Sequence, residues 1–63
     1  MKLKEFENHG NHLTKFYKDV TMKVSILNKG CRVIVKRDSD ILYENVVLKK
    51  DVEKEVGMLY DIL

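Results

Sequence analysis

The sequence predicts an α+β domain: a three-stranded antiparallel β-meander packed by a C-terminal helix, with a short N-terminal helical segment. Three observations support this fold. Apolar and polar residues alternate from Val20 to about Val47, which is the period of strands with one buried face. Two polar turns divide that stretch. After it, the apolar spacing changes to the period of a helix. We expect residues 1–63 to form a single small domain.

The apolar residues of the first predicted hairpin determine its register. One register brings all the inward apolar residues together, pairing Met22 with Val35, Val24 with Val33 and Ile26 with Cys31. A slip of one residue would move every one of these side chains to the other face of the sheet. In the connecting turn, Asn28-Lys29-Gly30, Gly30 is expected to supply a positive φ.

This register also predicts which side chains share the opposite face. Lys23 lies beside Ile34, Arg32 lies beside Ser25, and Lys36 lies beside Thr21. The candidate interface residues are Lys23, Arg32, Ile34 and Lys36. They combine positive charge with one apolar side chain.

The third predicted strand follows the turn Asp38-Ser39-Asp40, and its parity is ambiguous. One alternating set contains Ile41, Tyr43 and Val47, and the other contains Leu42 and Val46. The first set is larger and includes the aromatic residue, so we place Tyr43 inward. If Tyr43 faced outward instead, a nucleic-acid interface would gain an aromatic side chain.

The C-terminal segment carries an apolar stripe with helical spacing, formed by Leu48, Val52, Val56, Leu59, Tyr60 and Leu63. We favour one continuous helix, although Gly57 is unfavourable in a helix interior. In the alternative, the helix ends at Gly57 and Met58–Leu63 form a fourth strand. In the continuous helix, Met58 and Ile62 lie off the stripe, either exposed or covered by the N-terminal segment or a second subunit.

Residues 1–19 show a helical spacing that is interrupted. Leu3 and Phe6 fit one helical turn, and Gly10 then breaks the pattern. Asn11 fits the N-cap of a second turn, whose apolar face would hold Leu13, Phe16 and Tyr17. One bent helix, two short helices and a partly extended arm all remain compatible with this segment.

The sequence contains few residues of the types needed for metal binding or catalysis. His9 and His12 have metal-ligand spacing with Glu5, but a structural zinc site needs four ligands, and Cys31 is the only distant candidate. We therefore expect no metal, no cofactor and no catalytic residue. Cys31 is expected to be a small buried strand residue, and a chain with one cysteine fits a reducing, cytoplasmic compartment. We expect no signal peptide and no membrane span.

The net charge and the apolar content indicate which class of molecule is the more favourable partner, nucleic acid or protein. The formal net charge is only +2, which does not indicate a polybasic nucleic-acid tail. Sheet-based binders of single-stranded nucleic acid also need stacking aromatic residues, and the outer face of the first two predicted strands has none. Apolar side chains exceed what one small sheet and helix can bury, so contact with another protein or self-association is expected.

Several segments resemble small accessory proteins of phages and mobile elements of low-GC Gram-positive bacteria. These segments are the opening MKLKEF, the strand TMKVSIL, the strand end ILYEN and the helix LKKDVEKEV. The segment EFENHGNHLTKFYKD departs from the regular helix usual before the first strand of such proteins. The resemblance implies a non-catalytic protein that binds a host protein. The alternative is a small nucleic-acid-binding protein that uses the same basic face.

Overall fold

The computed structural model describes residues 3–63, and within them one antiparallel sheet is covered on one side by a helix. The strands lie side by side in chain order as β1 (Glu7–Asn8), β2 (His12–Tyr17), β3 (Val20–Leu27), β4 (Gly30–Arg37) and β5 (Asp40–Val47). Short 3-10 turns span Leu3–Glu5 and Lys49–Asp51, and helix α1 spans Val52–Ile62. The α+β class, the antiparallel meander and the C-terminal helix are confirmed.

The pairing of β3 with β4 holds the centre of the core. The predicted register is confirmed, with Val24 opposite Val33 and Met22 opposite Val35. All four of these side chains are fully buried or nearly so. Their polar neighbours alternate toward the other face, as the period of a strand requires. The apolar ladder therefore faces α1.

The prediction of a helical N-terminal segment and of only three strands is wrong. His12–Tyr17 forms β2, which pairs with β3 along its whole length, and Glu7–Asn8 adds the short strand β1. The only helical geometry described before β2 is the 3-10 turn Leu3–Glu5. Gly10, at φ 90°, lies in the connection between β1 and β2. The backbone N–H of Gly10 donates a hydrogen bond to Asn8 Oδ1 at 2.8 Å. The edge of β3 offers backbone hydrogen bonds to the six residues of β2. This pairing outweighs the helical spacing of their apolar side chains.

A bulge in β5 decides the ambiguous parity. Val35 pairs with Tyr43, but Lys36 pairs with Ile41, so Leu42 is an extra residue in the strand. The inward position of Tyr43 is confirmed, and both Tyr43 and Val47 pack against the core. The inward position predicted for Ile41 is wrong, because the bulge moves Ile41 beside Lys36, where it is 57% exposed.

Gly30 is required for a reason other than the one expected. Its φ is not positive, and it lies in β4 opposite Leu27. A Cβ atom at this position would lie 2.6 Å from the carbonyl oxygen of Val47. Glycine is needed here because the end of β5 passes too close to the backbone for any side chain.

Helix α1 is continuous through Gly57, as favoured, and it buries Val52, Val56 and Leu59 against the sheet. Leu48 precedes the helix in extended geometry and is exposed, so it is not part of the packed stripe. Met58 and Ile62 are exposed, which is one of the outcomes expected for residues off the stripe. The helix therefore contributes a narrow apolar face, completed at its end by Tyr60 and Leu63.

The turn between β2 and β3 secures the end of α1. Lys18 has a φ of 56°, and its Nζ donates a hydrogen bond to the carbonyl oxygen of Leu63 at 2.7 Å. A cation at this position interacts favourably with the negative end of the helix dipole. Beside it, the rings of Tyr17 and Tyr60 meet edge to face at 4.3 Å. These contacts connect β2 to the helix, as well as to β3.

Two glycine substitutions should affect stability in opposite directions. Gly30→Ala should lower the free energy of unfolding by about 2 kcal/mol, since its Cβ would force Val47 away from β4. Gly57→Ala should raise the free energy of unfolding by about 1 kcal/mol, because its Cβ would meet no atom within 4 Å. Urea denaturation of both variants and the wild type measures these effects. A Gly30→Ala protein as stable as the wild type would contradict the close approach.

Candidate protein-interaction face

The side of the sheet opposite α1 is a continuous surface, here called the open face. No element of residues 3–63 packs over it, since α1 lies on the other side. Strands β2 to β5 contribute its side chains in register. They are His12, Thr14, Phe16, Thr21, Lys23, Ser25, Arg32, Ile34, Lys36, Ile41, Glu44 and Val46.

The four predicted interface residues lie together on this face. Lys23 is directly opposite Ile34, and Arg32 and Lys36 flank Ile34 along β4. Arg32 is paired with Glu44 of β5, with 3.5 Å between Nε and Oε2. This ion pair reduces the positive charge of the face, so Lys23 and Lys36 carry most of what remains.

Strand β2 extends the open face with residues beyond the four predicted ones. Phe16 is 76% exposed and lies in one row with Thr21, Lys36 and Ile41. A solvated phenylalanine in a row of a sheet is a stronger sign of a contact surface than scattered aliphatic residues. The alternation of His12, Thr14 and Phe16 is the signal that would have found it, but the helical spacing of Leu13, Phe16 and Tyr17 concealed it.

Histidines order one corner of the face. The rings of His9 and His12 stack with centroids 5.2 Å apart. His9 Nε2 lies 3.1 Å from Thr14 Oγ1 and 3.4 Å from Glu7 Oε1. Both imidazoles are thus engaged with neighbouring side chains. Among residues 3–63, no group of three or more histidine, cysteine, aspartate or glutamate side chains is arranged to hold a metal ion.

The helix side of the sheet contains a polar cluster that was not predicted. Glu55 of α1 is only 9% exposed. Its Oε2 accepts hydrogen bonds from the Tyr43 hydroxyl at 3.1 Å and from Asn45 Nδ2 at 2.7 Å. Buried carboxylates need such donors, because their transfer from water is otherwise costly. The inward polar residues Tyr43 and Asn45, two apart on β5, are therefore matched by one acceptor on the helix.

Burial also perturbs two tyrosines. It raises the pKa of Tyr43 above the ordinary value, and the hydrogen bond to Glu55 adds to that rise. Burial likewise raises the pKa of Tyr60, with a further contribution from the charge of Glu5. The Tyr60 hydroxyl is buried without a hydrogen-bond partner among the described residues. The fold therefore favours the protonated form of both hydroxyls.

No protein-family model, curated protein or solved structure matches this chain. Within the part of the chain that the structure describes, no helix is long and apolar enough to cross a membrane.

Alkaline pH should destabilise the fold through these tyrosines. A raised pKa in the folded state means that stability is fully present below the unfolded pKa, about 10 for tyrosine, and is lost as pH rises through the folded pKa. We expect the free energy of unfolding to fall as the pH rises above the unfolded pKa of tyrosine. It should fall less steeply in Tyr43→Phe and in Tyr60→Phe. Urea denaturation at pH 8 and at increasing alkaline pH measures this. Parallel profiles for all three proteins would contradict it.

Proposed function

We propose that this chain is a non-catalytic protein-binding module that docks through its open face. The observation that carries the proposal is the row that contains Lys36 and the exposed side chains of Phe16 and Ile41. Ile34 lies in the next row, and Val46 lies in the row beyond it. Aromatic and arginine side chains are enriched where proteins bind each other. The open face offers both on one side of the sheet, which no element of residues 3–63 covers.

The mixed character of the face supports a protein as the partner. Lys23, Arg32 and Lys36 are balanced in part by Glu44, while Phe16 and its aliphatic neighbours provide apolar area. A partner surface with an apolar centre and a few carboxylates matches this pattern. The sequence resemblance to accessory proteins of phages and mobile elements favours a host protein as that partner, in a cytoplasmic setting.

Single-stranded nucleic acid is the second candidate, and one observation favours it. Strand β2 places Phe16 and His12 on the same face as Lys23 and Lys36. Sheet-based binders stack bases on such rings while cations contact the phosphates. The Arg32–Glu44 ion pair and the aliphatic side chains of Ile34 and Val46 make this face less suited to a polyanion than to a protein.

Affinity capture with open-face variants tests the proposal. The wild type should retain a specific host protein, and Phe16→Ala and Lys36→Glu should each weaken the purified complex at least tenfold, as substitutions at binding hot spots do. Ile62→Asp is the matched control, because Ile62 is exposed on α1, away from the open face. If the open-face variants bind the partner as tightly as the wild type, the open face is not the interface.

Salt dependence separates the two candidates. Binding of an oligonucleotide should weaken steeply between low and moderate salt, because phosphate contacts release counterions, whereas an apolar protein interface should respond little. Arg32→Glu and Lys36→Glu should abolish oligonucleotide binding if it occurs. A gel shift that is absent at low salt removes the second candidate. Sedimentation over a range of concentrations shows whether the open face instead joins two copies of the chain.

A further inference from the structure

A cleft lies between β5 and α1, on the side of the sheet opposite the open face. Its volume is about 430 Å³, within the range of small-molecule and side-chain binding sites. It is lined by Asn45, Val47, Asp51, Lys54, Glu55 and Met58. Strand β5 provides one wall, and the 3-10 turn Lys49–Asp51 and α1 provide the other.

Among the residues that line this cleft, Glu55 is the one that is buried, with 9% of its surface exposed. Its two hydrogen-bond donors, Tyr43 and Asn45, are both neutral. Within residues 3–63, no cationic side chain lies at ion-pair distance from Glu55 or Asp51. Buried carboxylates in proteins are generally paired with a cation. The lining therefore holds two carboxylates against one cation, Lys54, and neither carboxylate forms an ion pair within residues 3–63.

Beside the two carboxylates, the cleft is lined by the apolar side chains of Val47 and Met58 and by the polar side chains of Asn45 and Lys54. Met58 is 45% exposed there, and Val47 lies at the end of β5. Lysine and arginine side chains bury their methylene stems along apolar surface while their charged ends seek oxygen acceptors. The cleft offers both parts of that arrangement, and the Glu55 carboxylate belongs to a more buried residue than Val47 or Met58.

We propose that this cleft binds a lysine or arginine side chain presented by a partner protein. The stem lies against Met58 and Val47, and the charged end reaches Glu55 with Asp51 beside it. An arginine fork is the better fit, because it forms two parallel hydrogen bonds with a carboxylate. This proposal uses residues other than those of the open face and does not depend on the function proposed above.

Charge and edge geometry argue against a second copy as the occupant. A symmetric pairing of two β5 edges would bring Glu44 and the acidic clefts of both copies together, and like charges oppose such contact. The edge itself is also partly blocked. Asn45 Oδ1 already accepts a hydrogen bond from the Val46 N–H at 3.0 Å, and the bulge at Leu42 disrupts the edge.

The test uses three blocked amino acids as probes: the Nα-acetyl amides of arginine, lysine and norleucine. Norleucine has the stem of lysine without its charge. In nuclear magnetic resonance titrations of the whole chain, the first two should shift the amide signals of Asn45, Glu55 and Met58. We expect dissociation constants on the order of millimolar. Norleucine should bind at least tenfold more weakly.

Variants assign the binding to the cleft. Glu55→Gln keeps an acceptor oxygen for Tyr43 and Asn45 but removes the charge, and it should weaken arginine binding at least tenfold. Asp61→Asn is the matched control, because it removes the same charge from an exposed position of the same helix. Met58→Ala should weaken binding severalfold by removing apolar wall, and it provides the test should Glu55→Gln fail to fold.

The proposal is overturned if norleucine and arginine produce equal shifts, or if neither Glu55→Gln nor Met58→Ala weakens binding. Phe16→Ala and Lys36→Glu should leave arginine binding unchanged, because they lie on the open face. Capture of the host protein by these two variants tests the proposed function, and their binding of arginine tests the cleft, so either proposal can fail without the other.

Discussion

The register between β3 and β4 is the constraint on which the rest of the structure depends. Because Val24 faces Val33 and Met22 faces Val35, one side of the sheet becomes a continuous apolar surface that α1 can cover. The same register requires Lys23, Arg32, Ile34 and Lys36 to face the other way. In so small a domain the helix covers only one face, so the burial of the core and the exposure of the open face are two results of one pairing.

The sequence predicted this central hairpin because every inward position is apolar and nearly every neighbouring position is polar. It did not predict β2, since Leu13, Phe16 and Tyr17 satisfy helical spacing, and only the free edge of β3 favours a strand there. The bulge at Leu42 was equally hidden, because two successive apolar residues, Ile41 and Leu42, contain no parity information. The local sequence pattern left the conformation of β2 and the parity of β5 ambiguous, and pairing with the neighbouring strands determined both.

The candidate site was predictable to the same extent. The positions of Lys23, Arg32, Ile34 and Lys36 on one face followed from parity alone. Phe16 was missed together with its strand. The burial of Glu55 was missed because a charged helix residue gives no local sign that it will lie under a strand. Its indirect sign was the pair of inward polar residues on β5, Tyr43 and Asn45, since buried donors require an acceptor.

The strictly sequential order of the strands has a kinetic consequence. Each strand pairs with the next in the chain, and the loops from β2 to β5 contain two residues each, so little loop-closure entropy opposes any single pairing step. Such a topology has low contact order for a sheet, which is associated with fast folding. Strand β2 and the hairpin from β3 to β4 can thus form before α1 arrives, and Lys18 then offers the helix end a ready anchor.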